Sequence, residues 1–112
     1  MASTSKMISD WRPDRRIIDP DILRILKLRW DECCLCGVTA DLHIHHIVFR
    51  SQSGDDVEAN LCCLCVGCHI SVHSQDPEKW SELSAYIELE RPDTVEYLRV
   101  KLGGRAVRYC NM

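Results

Sequence analysis

The chain is short of aromatic residues, of uninterrupted apolar sequence and of positive charge. One Phe, three Trp and three Tyr among 112 residues leave little large-volume material for a core. A chain of this length buries only a modest fraction of its surface, so an internal staple such as a bound metal is expected to help it fold. No apolar run approaches the roughly 20 residues of a membrane-spanning helix, and no membrane partner is expected. The opening MASTSKMISDWRPDRR has no continuous apolar stretch of the kind a secretion signal carries. Seventeen acidic residues outnumber fourteen basic ones, for a net charge of −3, which argues against binding a polyanion by bulk charge alone.

What the chain has in quantity is cysteine, eight in all. Eight cysteines read either as a secreted disulfide framework or as an intracellular metal site. CxxC spacing that runs into a histidine, after an opening without a signal, favours a reduced cytoplasm and zinc. Two CxxC pairs, Cys33/Cys36 and Cys65/Cys68, supply the four sulfur donors of a tetrahedral site. Cys62/Cys65 is a rival pair, and Cys34 stands beside Cys33. The register 33, 36, 65 and 68 is preferred because Cys68 then opens the helix that carries His69 and His73. Gly37 and Gly67 also fall where they would ease the two knuckles. Cys34, Cys62, Cys63 and Cys110 are expected to be small buried hydrophobes.

Residues 1–18 read as a polar, basic lead and 19–112 as a single domain. Asp19-Pro20 predicts a helix start, with a cap and a first-turn proline, and a helix to about Trp30 that buries Ile22, Leu23, Leu26 and Trp30. Leu42 to Phe49 is β-branched, aromatic and partly alternating, which predicts a strand. SQSGDD (51–56) is turn chemistry, and Leu61 to Leu64 predicts a second strand. A helix over about Val66 to His73 would place His69 and His73 on one face, four residues apart. Asp76-Pro77-Glu78 restarts a helix with a stripe of Trp80, Leu83 and Ile87, ended by Pro92. Val95, Leu98 and Leu102 mark a last helix, stopped by Gly103-Gly104. The fold class is α+β.

Four histidines then stand out: His45, His46, His69 and His73. Hydrolysis of a phosphodiester needs a cation on the phosphate and a base for the attacking water. Neighbouring strand residues point to opposite faces. One of His45 and His46 can therefore complete a three-nitrogen site with His69 and His73, while the other stays free as a base. His43 lies on the same strand and either tunes that site or packs. Three imidazoles suit Zn²⁺, Ni²⁺, Co²⁺ or Mn²⁺, with Mg²⁺ usable when phosphate and water fill the shell.

The segments CLCG, LHIHHIVFRSQSGDDVEANL and CCLCVGCHISVH, from Cys33 to His73, resemble the zinc-containing branch of the HNH endonuclease family, of the ββα-metal fold. The resemblance implies that His46 is the general base and that His45, His69 and His73 hold a catalytic divalent cation. It implies that Asn60 holds the loop orienting the base, and that Cys33, Cys36, Cys65 and Cys68 bind a structural zinc. It implies hydrolysis of DNA, most simply double-stranded, leaving 5′-phosphate and 3′-hydroxyl ends, in a bacterial or phage setting. Where the family commonly has a proline and paired glycines after the double histidine, this chain has Phe49 and Ser53-Gly54. Arg50, just after the strand, is a phosphate-contact candidate.

Charge is unevenly spread. Residues 12–29 carry a surplus of three positive charges and 99–112 four positive and no negative ones, whereas 31–73 and 76–96 are each at −5. Basic ends around an acidic middle suit two arms on a polyanion. The rival expectation is a non-catalytic zinc module that binds nucleic acid or a protein, in keeping with the net negative charge.

Overall fold

Asp19-Pro20 begins a helix for two local reasons. The Asp19 carboxylate accepts a hydrogen bond from the Asp21 N–H, and Pro20 has no N–H to leave unpaired in the first turn. In the computed structural model, which describes residues 10–109, this is α1 (Pro20–Arg29). Ile22 and Leu26 are buried against Leu61, with Leu23, Trp30 and Ile44 packed partly around them. Each fully buried side chain of this kind contributes about 1.5–3 kcal/mol.

Two antiparallel strands follow, β1 (Leu42–His46) and β2 (Leu61–Cys65), with His46 opposite Leu61, His45 opposite Cys62 and Leu42 opposite Cys65. Helix α2 (Val66–His73) springs directly from β2. Helices α3 (Pro77–Glu90) and α4 (Pro92–Leu102) complete the domain. α3 packs on α2 and on α4, and α4 packs on the turn 58–60 that leads into β2. Among the described residues the result is a small α+β fold: a two-stranded sheet, four α-helices and a cluster of four cysteines. Among the described residues no helix is long and apolar enough to cross a membrane.

The first strand is shorter than its composition suggested. Its backbone ladder runs out at Ile47, whose N–H still reaches Asn60 O at 2.8 Å. At Val48 a side chain takes over. Asn60 Oδ1 accepts from the Val48 N–H at 2.7 Å, and Asn60 Nδ2 donates to Val48 O at 3.1 Å and Asp55 O at 3.0 Å. A single buried amide thus ends the strand and ties together both ends of the loop that follows. Ile47 and Val48 go into the core, so their β propensity reports burial here and not pairing.

Other expectations need correction. Gly67 lies in the first turn of α2 in open space and without a left-handed φ, so it eases no knuckle; Gly37, at φ 79°, does. Cys34 is only half-buried, while Cys62 and Cys63 are buried as expected and Cys110 lies outside the described residues. On α1, Leu23 and Trp30 are half-buried, and the helix stops one residue before Trp30. On α3, Leu83 and Ile87 are buried and Trp80 half-buried. On α4, which Val95, Leu98 and Leu102 marked, Leu98 is buried beside Thr94, Tyr97 and Lys101, and Val95 and Leu102 are half-buried.

Lys101 ties residues 12–15 of the lead to α4. Its ammonium donates to Arg12 O and Arg15 O, each at 2.6 Å, and pairs with Asp55 at 2.9 Å. Three partners for three protons make a buried lysine tolerable. Trp11 packs edge-on against Tyr97 beside it, with ring centres 4.9 Å apart.

Gly54 carries a sharper steric demand. A Cβ built there would stand 1.7 Å from Val48 O, a backbone atom pinned by Asn60. Gly54→Ala is therefore expected to destabilise the protein by about 2–3 kcal/mol, the upper range for overpacking. Urea unfolding followed by circular dichroism checks this, and an unchanged midpoint would contradict the close approach.

Candidate metal and hydrolytic centre

The thiol cluster is built from two tight turns. The Gly37 N–H bonds Cys33 O at 2.9 Å and the Cys33 N–H bonds Val38 O at 2.8 Å, closing the first knuckle. In the second, Cys65 caps α2, its sulfur accepting from the Cys68 N–H at 3.4 Å. Cys36 Sγ and Cys65 Sγ are 3.6 Å apart, and all four sulfurs lie within 4.8 Å of one another. Bonds of about 2.3 Å in a tetrahedron place sulfurs about 3.8 Å apart, so the set needs little contraction to hold zinc. Burial pushes the Cys33 thiol up, but the N–H groups of Cys36, Cys65 and Leu35 outweigh it and bring it down to about 6. Burial and the neighbouring sulfurs push Cys68 far up. A thiol drawn towards the thiolate beside Cys36 and Cys68, both pushed the other way, is a donor set that a shared cation would suit.

The histidines converge as strand alternation requires. His45 faces α2, where its ring centre is 5.2 Å from His69 and 5.4 Å from His73, and one nitrogen from each of the three lies within 4.8 Å of the others. His45 is buried, and neither of its ring nitrogens has a hydrogen-bond partner. A buried unsatisfied nitrogen costs about 1–3 kcal/mol, and a metal ion would remove that cost. Burial, then the charges of His69 and His73, hold His45 down to about 3; burial and His73 hold His69 at about 4. Both rings are neutral at pH 7, the form that ligates. Phe49, in the position of the family's proline, stacks on His73 at 4.7 Å and walls the site. His43 lies exposed at the rim, its Nδ1 3.2 Å from Nδ1 of His69.

His46 points the other way and is not in this cluster. Its Nε2 lies 2.8 Å from Oδ1 of Asp56, a residue the sequence reading passed over as turn chemistry. Asp56 is buried and is also held by Arg16 at 2.7 Å and by the Asp19 N–H at 2.9 Å. Burial would raise its carboxyl, but the bonds from His46 and from the Asp19 N–H outweigh it, and the group stays below the ordinary carboxylate range. An ionised Asp56 fixes the His46 proton on Nε2 and leaves Nδ1 as an acceptor. Burial also lowers His46 itself, so the ring is neutral near pH 7. For Asp56 the sequence offers only position, the second of two consecutive acids before the Asn60 turn. Arg50 sits exposed in a single 3-10 turn after β1.

Residues 32–75 match the family model of the HNH endonucleases. No curated protein and no solved structure matches the chain. This segment is an HNH domain, and it contains both metal-competent clusters, His46 and Asn60. An HNH domain points to a nuclease or DNA-binding function.

Two outcomes test the centre. Cys68→Ser is expected to cost zinc and much of the helical signal together, read by elemental analysis and circular dichroism; a well-folded, zinc-free variant would contradict the staple. The second concerns His45 and His69, whose folded values lie below the ordinary 6.5. Between pH 6.5 and about 4 the unfolded chain binds protons that the folded chain does not, so stability without a metal on the histidines falls as pH drops through that window. His45→Leu should raise the urea midpoint at pH 7 and flatten its fall towards pH 5. A variant as pH-dependent as the wild type would overturn that origin.

Proposed function

We propose that the protein is a metal-dependent HNH endonuclease that nicks or cleaves DNA by phosphodiester hydrolysis. The observation that carries this reading is the division of labour across β1. His45 turns to His69 and His73, while His46, one residue on, turns to Asp56. In a plain zinc-binding module all four rings would be free to share one ion.

His45, His69 and His73 would hold the catalytic cation, which when bound supplies positive charge to the phosphate oxygens and the leaving 3′ oxygen. Zn²⁺, Ni²⁺, Co²⁺ and Mn²⁺ suit the imidazoles, and Mg²⁺ is workable. His46, with its Nε2 proton committed to Asp56, takes the proton of the attacking water on Nδ1. Asn60 acts at one remove. By bonding Val48 and Asp55 it fixes the loop that carries Asp56 to His46. Arg50, exposed just after β1, would contact a neighbouring phosphate. Cys33, Cys36, Cys65 and Cys68 hold a structural zinc that anchors α2. Double-stranded DNA is the proposed partner, and residues 19–112 the proposed single nuclease domain.

The test is digestion of supercoiled plasmid with a panel of divalent metals, beside elemental analysis. Wild type should nick, and His46→Ala should lose at least about a hundredfold, the size of a general-base contribution, while keeping its zinc and helical signal. DNA bound but never cut, with any metal, would favour the binding module instead. A His46→Ala protein that nicks at the wild-type rate would remove His46 from the mechanism.

A further inference from the structure

A cleft of about 810 Å³ runs from the histidine centre to α1. Its histidine end is formed by His43, His46, His69 and His73. α1 contributes Arg24 and Lys27 to the cleft and the turn after β1 contributes Arg50, and among the described residues no acidic side chain lines it. In a chain with more acids than bases, that segregation is a local property of this face. Arg24 and Lys27 stand three residues apart on α1 and so share a face. Arg24 is paired with Asp21, both exposed, while Lys27 and Arg50 make no ion pair among the described residues. The same cleft is lined by the apolar side chains Leu23, Ile44 and Phe49, each half-buried.

Charge alone would suit any nucleic acid, but the apolar floor is more selective. A paired duplex keeps its base faces inside the stack and offers the protein phosphates and groove edges. An unpaired strand exposes sugars and base faces that apolar and aromatic side chains can cover, while its phosphates follow a basic groove. We propose that this cleft binds a single unpaired polynucleotide strand, its phosphates on Arg50, Lys27 and Arg24 and its sugars and bases on Leu23, Ile44 and Phe49. α1, which lies outside the HNH segment, is then the second wall of the substrate site. The duplex named above would be opened, frayed or gapped where it is cut. The identity of the ligand rests on the nuclease reading; the binding does not need cleavage.

The experiment uses the zinc-loaded His46→Ala protein, so that nothing is cut, and fluorescence anisotropy. The two probes are a DNA single strand of about twelve nucleotides and the same sequence fully paired. The single strand should bind about tenfold more tightly at equal salt. Arg24→Gln/Lys27→Gln should weaken it about tenfold and reduce the slope of log K against log salt by about 1.4, the value for two contacts on a single strand. Leu23→Ser should weaken binding with the salt slope unchanged. A folded double variant with unaltered affinity and slope would overturn the cleft as the track, and a duplex bound as well as the single strand would overturn the unpaired occupant. These binding losses, together with a wild-type protein that cuts no plasmid under any metal, would retire the hydrolytic reading and leave the strand-binding cleft in place.

Discussion

Two adjacent buried carboxylates, Asp55 and Asp56, hold this molecule together at its functional end. Asp55 accepts from the Ile17 N–H at 2.5 Å and the Tyr97 hydroxyl at 2.6 Å, and pairs with Lys101. Asp56 accepts from Arg16, from the Asp19 N–H and from His46. Neighbouring side chains in an irregular loop thus pull in opposite directions, one to α4 and one to the double histidine. Between them they grip the segment 16–19 that leads into α1. A buried carboxylate without partners would be costly, so the lead, α1, α4 and His46 are fixed relative to one another by the need to satisfy these two groups.

That arrangement shows why the loop after β1 tolerates so little. Asn60 bonds Val48 and Asp55, Gly54 passes against Val48 O, and Ser53 takes a left-handed φ of 65°. In this loop Gly54 meets a steric demand and Ser53 supplies the left-handed residue. Arg16 adds a further clasp, donating to Gly54 O at 2.8 Å while pairing with Asp56. The orientation of His46 is therefore set by residues 38 to 42 positions apart in sequence as much as by its own strand.

This distribution decides what was legible in the sequence. The cysteine knuckles, the helix caps at Asp19 and Asp76 and the i, i+4 histidines are local patterns, and each appears where its spacing required. The end of β1 was not legible, because Val48 and Phe49 have strand propensity and only Asn60, twelve residues from Val48, interrupts the ladder. Nor was the role of Asp56, which reads as an ordinary turn acid until Arg16 and His46 are brought against it. Arg91 was likewise silent. It carries the junction of α3 and α4 to the start of β2, donating to Leu61 O at 3.0 Å and Glu58 O at 2.8 Å. Long-range ionic and amide partners leave no periodic trace, whereas metal-ligand spacing does.

The two clusters also depend on each other through α2. A helix of eight residues is marginal on its own, yet it must present His69 and His73 to His45 with little freedom. Its first turn is fixed by Cys65 and Cys68 in the thiol cluster. Its last turn is fixed by Trp80, whose indole N–H donates to Val72 O at 3.1 Å. Loss of the sulfur anchor would release the end of the helix that joins β2, and His69 follows Cys68 directly. Zinc at the knuckles would thus act on the histidine cluster from a distance, by limiting how far its nitrogens can spread. A separate structural ion at the cysteines would let so short a helix carry two ligands for a second one.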